Sequence, residues 1–154
     1  RDMAASDDAQ LSHFRSSEVG FVFQSFNLVP QLSVFENVEL PFFYSPQANP
    51  NAQQRIGDAL SQVGLSHRLQ HKPAELSGGE MQRVAIARAI VTSPSLILAD
   101  EPTGNLDSAT GEQILAILKG LNEAGTTILL VTHDPHVAGL AQRQAVLRDG
   151  RFVS

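Results

Sequence analysis

Val19, Phe21 and Phe23 alternate with smaller neighbours, and that period of two predicts a short strand over Val19–Gln24. Residues 1–18, ahead of it, are polar apart from a weak helical patch around Leu11 and Phe14. Pro30, Pro41, Pro46 and Pro50 then break up the chain and limit helices there to short pieces such as Ser33–Glu39. Ile56, Ala59, Leu60 and Val63 fall at i, i+3, i+4 and i+7, which predicts a helix over Ala52–Val63 stopped by Gly64. Ser77-Gly78-Gly79-Glu80 has the S-x-x-E spacing of a capping box and opens a helix that runs to about Thr92, before Pro94. Only Gln82, Arg83 and Arg88 interrupt its apolar surface, the pattern of a helix packed between other elements.

Leu96–Ala99 is a continuous apolar run that ends in Asp100 and Glu101. A helix over Ser108–Glu123 follows, with Ile114, Ile117, Leu118 and Leu121 on one side, and then a second strand-like run, Thr126–Thr132. Uninterrupted apolar strands alternating with helices predict an α/β fold whose parallel sheet is covered on both faces. A last helix, Pro135–Gln142, leads to a strand at Ala145–Arg148 and an Asp149-Gly150 turn into Arg151–Val153, a hairpin signal.

Composition narrows the function classes. A length of 154 residues fits one domain that buries roughly 70% of its unfolded surface, and 42% hydrophobic with 18% charged residues excludes a disordered chain. The formal net charge is −5 and no Lys/Arg-rich run occurs, so no nucleic acid partner is expected. The absence of cysteine rules out disulfides, thiolate metal sites and a cysteine nucleophile. No apolar stretch approaches a membrane span, and the chain opens on Arg1 rather than Met, which leads us to expect a natural start further upstream. His67 with His71, and His133 with His136, lack a third ligand at suitable spacing and read as solvent-facing.

Parallel sheets bind ligands at the carboxyl ends of their strands, and here those ends carry Gln24, Asp100-Glu101 and His133. Any one of them alone equally suits a strand leaving the core. Asp and Glu at successive positions of a strand end point in opposite directions, which suits one to a hydrated Mg²⁺ and the other to an attacking water. Ser77-Gly78-Gly79-Glu80 has two readings as well, a plain helix cap or an anion site where glycines admit a phosphate to the bare backbone.

Leu76-Ser77-Gly78-Gly79-Glu80-Met81-Gln82-Arg83 resembles the signature motif of ABC-type ATPases, and Leu96-Ile97-Leu98-Ala99-Asp100-Glu101-Pro102-Thr103 resembles their Walker B segment. Gln24 sits where that family has its Q-loop glutamine, Gly104-Asn105-Leu106-Asp107 is similar to the D-loop, and His133 to the switch histidine. Phe21 to Leu28, Glu36 to Pro41 and Thr103 to Asp107 are similar in wording to the lipoprotein-releasing and macrolide-export branch. The resemblance implies a partial P-loop NTPase core, residues 1–32 and 94–154, with an inserted α-helical subdomain over 33–93.

It also implies ATP and Mg²⁺ as cofactors and a role for each residue. Asp100 and Gln24 would hold Mg²⁺, Glu101 would polarise the attacking water, and His133 would contact the γ-phosphate. Ser77, Gly78 and Gly79 would contact nucleotide on a second ABC ATPase subunit of a homodimer or pseudo-dimer, with Glu80 completing the cap, and Asp107 would communicate across that interface. The further partner implied is an integral-membrane permease, which would hold the protein at the cytoplasmic face of the membrane. Every aromatic residue but Phe152 lies within the first 44 residues. Phe21 and Phe23 suit a local core, whereas Phe26, Phe42, Phe43 and Tyr44 suit either that core or the groove that the resemblance implies for the permease.

The family's phosphate-binding loop, G-x-x-x-x-G-K-[ST], does not occur, and the only lysines, Lys72 and Lys119, follow no such glycines. Truncation of a full ATPase is the expected explanation, since Glu101 and His133 are retained. The alternatives are a catalytically incompetent module that supplies only signature-face or permease contacts, and a non-transport relative of the family. In each case, the isolated chain is expected to hydrolyse little or no ATP.

Overall fold

The computed structural model describes Asp7, Leu11, Ser12, Phe14 and residues 17–44 and 50–153. In chain order the elements are β1 (Val19–Phe23), α1 (Val34–Phe43), α2 (Ala52–Gln62), a 3₁₀ turn at Pro73–Glu75, α3 (Gly78–Ile90), β2 (Leu96–Asp100), α4 (Ser108–Glu123), β3 (Thr127–Val131), α5 (Pro135–Gly139), β4 (Val146–Arg148) and β5 (Arg151–Val153). The first three strands form a parallel sheet in the order β1-β2-β3, with Phe21, Leu98 and Leu129 abreast, and Phe23, Asp100 and Val131 abreast at the carboxyl edge. The last two pair antiparallel through the Asp149-Gly150 turn, both of whose residues have positive φ as a type I′ hairpin requires.

One face of the sheet is closed. Val22, Ile97 and Ala99 are buried there, in a cluster that continues without a break through Val84, Ile86 and Ile114 into Val34, Val38, Ile56 and Leu60. Residues expected to form a separate helical subdomain and those of the sheet thus share one hydrophobic cluster. On the opposite face Phe21 stacks on Phe23, but Leu129 and Val131 are 57% and 56% exposed. The expectation of a sheet covered on both faces is corrected: the apolar runs suit double cover, but among the described residues only one face has it.

The segment between β1 and α1 is shaped by a buried asparagine. Asn37 Oδ1 accepts the Val29 N–H at 2.8 Å, and Nδ2 donates to the carbonyls of Val29, Leu32 and Ser33 at 3.1, 3.1 and 2.9 Å. Ser33 and Glu36 close a capping box at the start of α1. That helix runs to Phe43 with Pro41 inside it, where a break after Glu39 was expected. Pro41 sits near the end, where its missing N–H costs one bond. The cap, the burial of Val34, Asn37 and Val38, and the seating of Phe42 under the Arg55 guanidinium 5.5 Å away outweigh that loss. The opposite correction applies to α5, which ends at Gly139 instead of Gln142. Val137 is its one buried residue, and Leu140 beyond it is 58% exposed, so no packing extends the helix.

Asn37 is a test of this loop. Asn37→Ala strands a buried N–H and removes a donor from three carbonyls, so urea unfolding should show a loss of about 2–4 kcal/mol. Unchanged stability would remove Asn37 as the organiser of the 29–33 segment.

Candidate functional site

The carboxyl edge of the parallel sheet brings Gln24, Asp100, Glu101 and His133 together. Gln24 follows β1, Asp100 ends β2, and Thr132 and His133 follow β3. The strand alternation expected to separate the two acidic residues stops one residue early. Glu101 has φ +44, outside the strand, and its N–H donates to the Val131 carbonyl at 2.9 Å. A turn, and not the pleat, therefore sets the Glu101 carboxylate apart from the exposed carboxylate of Asp100.

That turn aims Glu101 at the end of β3. Its Oε1 accepts the His133 main-chain N–H at 2.7 Å and lies 2.6 Å from His133 Nδ1, while Oε2 accepts the Thr132 hydroxyl at 3.1 Å. Burial pushes the Glu101 carboxyl up, but the bonds from the His133 ring and main chain and from Thr132 together outweigh it, and the group titrates below its ordinary value of 4.5. The Glu101 side chain is 19% exposed against 87% for His133, so the carboxylate is held and the imidazole faces solvent.

Gln24 is engaged by the loop after β2, its side-chain amide donating to Asn105 Oδ1 and its main-chain carbonyl accepting from Asn105 Nδ2. The chain beyond it makes a tight left-handed bend at Phe26 and Asn27, with φ of +61 and +49. Arg88 of α3 holds the bend, donating Nη2 to the Phe26 carbonyl at 2.9 Å and Nη1 to that of Asn27 at 2.6 Å. Burial lowers the Arg88 pKa, and the two carbonyls are the acceptors that its desolvated guanidinium needs.

Ser77 caps α3 by the expected reciprocal pair. Glu80 N–H donates to Ser77 Oγ at 3.2 Å, and Ser77 N–H donates to Glu80 Oε2 at 2.9 Å. The Ser77 main-chain bond is the largest cause of the lowered Glu80 pKa, and Arg68 Nε lies 3.1 Å from Glu80 Oε1. Gly79 is buried, and its bareness serves packing: a Cβ there would stand 2.4 Å from Cγ2 of Thr110. Thr110 in turn donates its hydroxyl at 2.6 Å and its N–H at 3.0 Å to Asp107, the N-cap of α4, and these bonds lower the Asp107 pKa. The signature-like segment and the D-loop-like segment are thus locked together through Gly79, Thr110 and Asp107.

Three positioning contacts went unread in the sequence: Arg88 on the bend, Asn105 on Gln24, and Gln82, whose buried Nε2 donates to the Pro102 carbonyl at 2.6 Å just behind Glu101. For two of them a signal was present, since Gln82 and Arg88 are polar exceptions on an apolar helix. Of the histidines, His133 meets Glu101, His136 Nε2 lies 2.9 Å from Glu112 Oε1, and His71 lies 3.0 Å from Arg68. No three metal-ligating groups gather among the described residues.

A family profile described as ABC transporter matches residues 2–104. The chain belongs to the ABC transporter family. This ABC chain is 49% identical over 152 residues to an ABC transporter ATP-binding protein of Bacillus subtilis, YvrO, which covers 99% of it and 66% of YvrO. It is 49% identical over 148 residues to the lipoprotein-releasing system ATP-binding protein LolD of Syntrophus aciditrophicus, covering 96% of this chain and 66% of LolD. The dimeric structure of MJ0796, a bacterial ABC transporter cassette, superposes with a TM-score of 0.82 at 47% identity over 96% of this chain and 66% of that one. The α/β fold is therefore that of the ABC cassette, a P-loop NTPase, and the chain spans about two thirds of the length of these relatives.

The Glu101 cluster is open to titration. His133→Ala removes one of the bonds that lower the carboxyl's pKa, so carbon-detected NMR should show Glu101 titrating below 4.5 in the parent chain and at higher pH in the variant. Because the folded-state pKa is depressed, the stabilisation from this cluster is present above the ordinary carboxyl range and is lost as pH falls through the lower, folded value. A Glu101 titration indifferent to His133→Ala would contradict the pairing.

Proposed function

We propose that these residues form the greater part of the nucleotide-hydrolysing unit of an ABC transporter, which works as a dimer and couples ATP hydrolysis to a membrane permease. The observation that carries this reading is the convergence of Gln24, Asp100, Glu101 and His133 on one edge of the sheet, with Glu101 oriented by three bonds from Thr132 and His133. A module that supplied only contacts to other subunits would have no use for a carboxylate positioned in this way.

The chemistry of each group fits its proposed role. Asp100 offers an exposed carboxylate and Gln24 a carboxamide oxygen, the hard oxygen donors that Mg²⁺ prefers. When bound, that ion would neutralise charge on the transferring phosphate. Glu101 is ionised at neutral pH and accepts the proton of an attacking water; its lowered pKa makes it a weaker base, so what the His133 and Thr132 bonds contribute is position. The exposed His133 ring is placed to meet the γ-phosphate. Ser77 presents its hydroxyl, and Gly78 and Gly79 in the first turn of α3 their main-chain N–H groups, to a nucleotide on the second subunit, and Asp107, bound into the α4 cap beside them, links that contact to the loop carrying Glu101.

The G-x-x-x-x-G-K-[ST] loop does not occur in these 154 residues, so hydrolysis is proposed of the full-length protein and not of this chain alone. Relatives named for lipoprotein release and for macrolide export suggest cargo of that kind, and Phe43 and Tyr44, 70% and 76% exposed at the C-terminal end of α1, form a surface suited to a permease. The protein would then sit at the cytoplasmic face of the membrane. None of the described helices is long and apolar enough to cross a membrane itself.

Steady-state hydrolysis of Mg-ATP by the full-length protein tests this reading. Glu101→Gln should lower kcat by about 10²–10⁴ with nucleotide binding kept, and the 154-residue chain alone should show no saturable binding of a fluorescent ATP analogue. Lack of hydrolysis by the full-length wild type, or an unimpaired Glu101→Gln, would overturn it.

A further inference from the structure

Two loops meet where Gln24 leaves β1. Asn105, 81 residues further along, lies on the loop after β2 and donates Nδ2 to the main-chain oxygen of Gln24 at 3.0 Å. In return its Oδ1 accepts Gln24 Nε2 at 3.1 Å. The approach is close: a Cβ on Gly104 would stand 2.6 Å from Gln24 Nε2, so a side chain at 104 would displace the Gln24 carboxamide from this position.

The pair fixes an orientation that a lone carboxamide does not have. A main-chain carbonyl only accepts, so Asn105 must turn its amino group toward the Gln24 carbonyl and its Oδ1 toward the Gln24 side chain. Oδ1 also only accepts, so it must face Nε2. Turning the Gln24 amide over would set oxygen against oxygen and lose the bond. Nε2 is therefore committed to Asn105, and Oε1 is the end of the side chain that remains for a ligand. An amide nitrogen is no ligand for a hard cation, whereas an amide oxygen is.

We propose that Asn105 is a positioning residue that holds the Gln24 carboxamide with its oxygen, and not its nitrogen, presented to the Mg²⁺ of a bound nucleotide. This rests on the ATPase reading given above. It adds a residue to the site by way of a contact that the nucleotide does not make, and it ties the placement of Gln24 to the loop between Glu101 and Asp107.

Two readouts on the full-length protein test it. Without nucleotide, the side-chain amide NMR signals of Gln24 should move to solvent-like shifts and exchange faster in Asn105→Leu, which is of similar size but has no polar atom. With nucleotide, Asn105→Leu should raise the half-saturating Mg²⁺ concentration for hydrolysis about three- to tenfold, the worth of one lost hydrogen bond, with KM for ATP at saturating Mg²⁺ little changed. Gln24 signals indifferent to Asn105→Leu would overturn the contact itself. Altered signals with an unchanged Mg²⁺ requirement would overturn its purpose. If the wild type hydrolyses no ATP, the ATPase reading fails and the Mg²⁺ role fails with it, and the amide signals then show that the error lay in the function and not in the contact.

Discussion

Gln82, Arg83 and Arg88 leave one apolar helix, α3, for three different segments: the Pro102 carbonyl behind Glu101, Gln113 of α4, and the carbonyls of Phe26 and Asn27 beyond Gln24. The helix itself is wedged into the core, with Val84, Ala85, Ile86 and Ala87 fully buried. These bonds therefore tie α4 and the two loops beside the site to the core. Gln82 shows how strong the constraint is. It is fully buried, and its Oε1 finds no hydrogen-bond partner among the described residues. An unsatisfied buried acceptor costs about 1–3 kcal/mol, which a leucine at this position would avoid. What the glutamine supplies in exchange is the bond to Pro102.

Backbone strain lies next to two of these bonds. Phe26, Asn27 and Glu101 all occupy the left-handed region, at about 1–3 kcal/mol each for residues with a side chain, and such conformations persist only where their surroundings impose them. Arg88 accounts for the first two, and the Pro102 bond with the Thr132 and His133 contacts accounts for the third. The same helix begins at the Ser77 cap, and Gly79 lets it close on Thr110 and the Asp107 cap. One rigid body thus touches three segments of the candidate site: its own first turn, the bend after Gln24, and the loop from Glu101 to Asp107.

Much of this was legible in the sequence, because local patterns report local structure. Period two marked β1, the capping boxes at Ser77 and the heptad-like spacing in 56–63 marked helices, and the polar residues at strand ends marked the site edge. The parts that were not legible depend on residues far apart in the chain. Asn105 and Gln24 are separated by 81 residues, and nothing near either one announces the other. Pro41 reads locally as a helix breaker, and only packing around Phe42 and Val38 shows why the helix survives it. Gly79 has two readings in the sequence, a helix cap and an anion site, and neither announces that Thr110 of a different helix packs against it. The Asp100-Glu101 step reads as strand alternation, until the positive φ of Glu101 shows that the chain has already turned.

The dependence of the site on α3 is tested most directly by hydrogen exchange in Arg88→Met, a substitution that keeps apolar bulk and removes both carbonyl bonds. The amides of Phe26 and Asn27, which bond to the Phe23 and Ser25 carbonyls in the bend, should exchange about tenfold faster or more. The strand amides of Val22 and Leu98 should keep their protection. Unchanged exchange at Phe26 and Asn27 would contradict the claim that Arg88 imposes the bend. Uniform acceleration across the sheet would also contradict it, since that would make Arg88 a general stabiliser and not the link between helix and site.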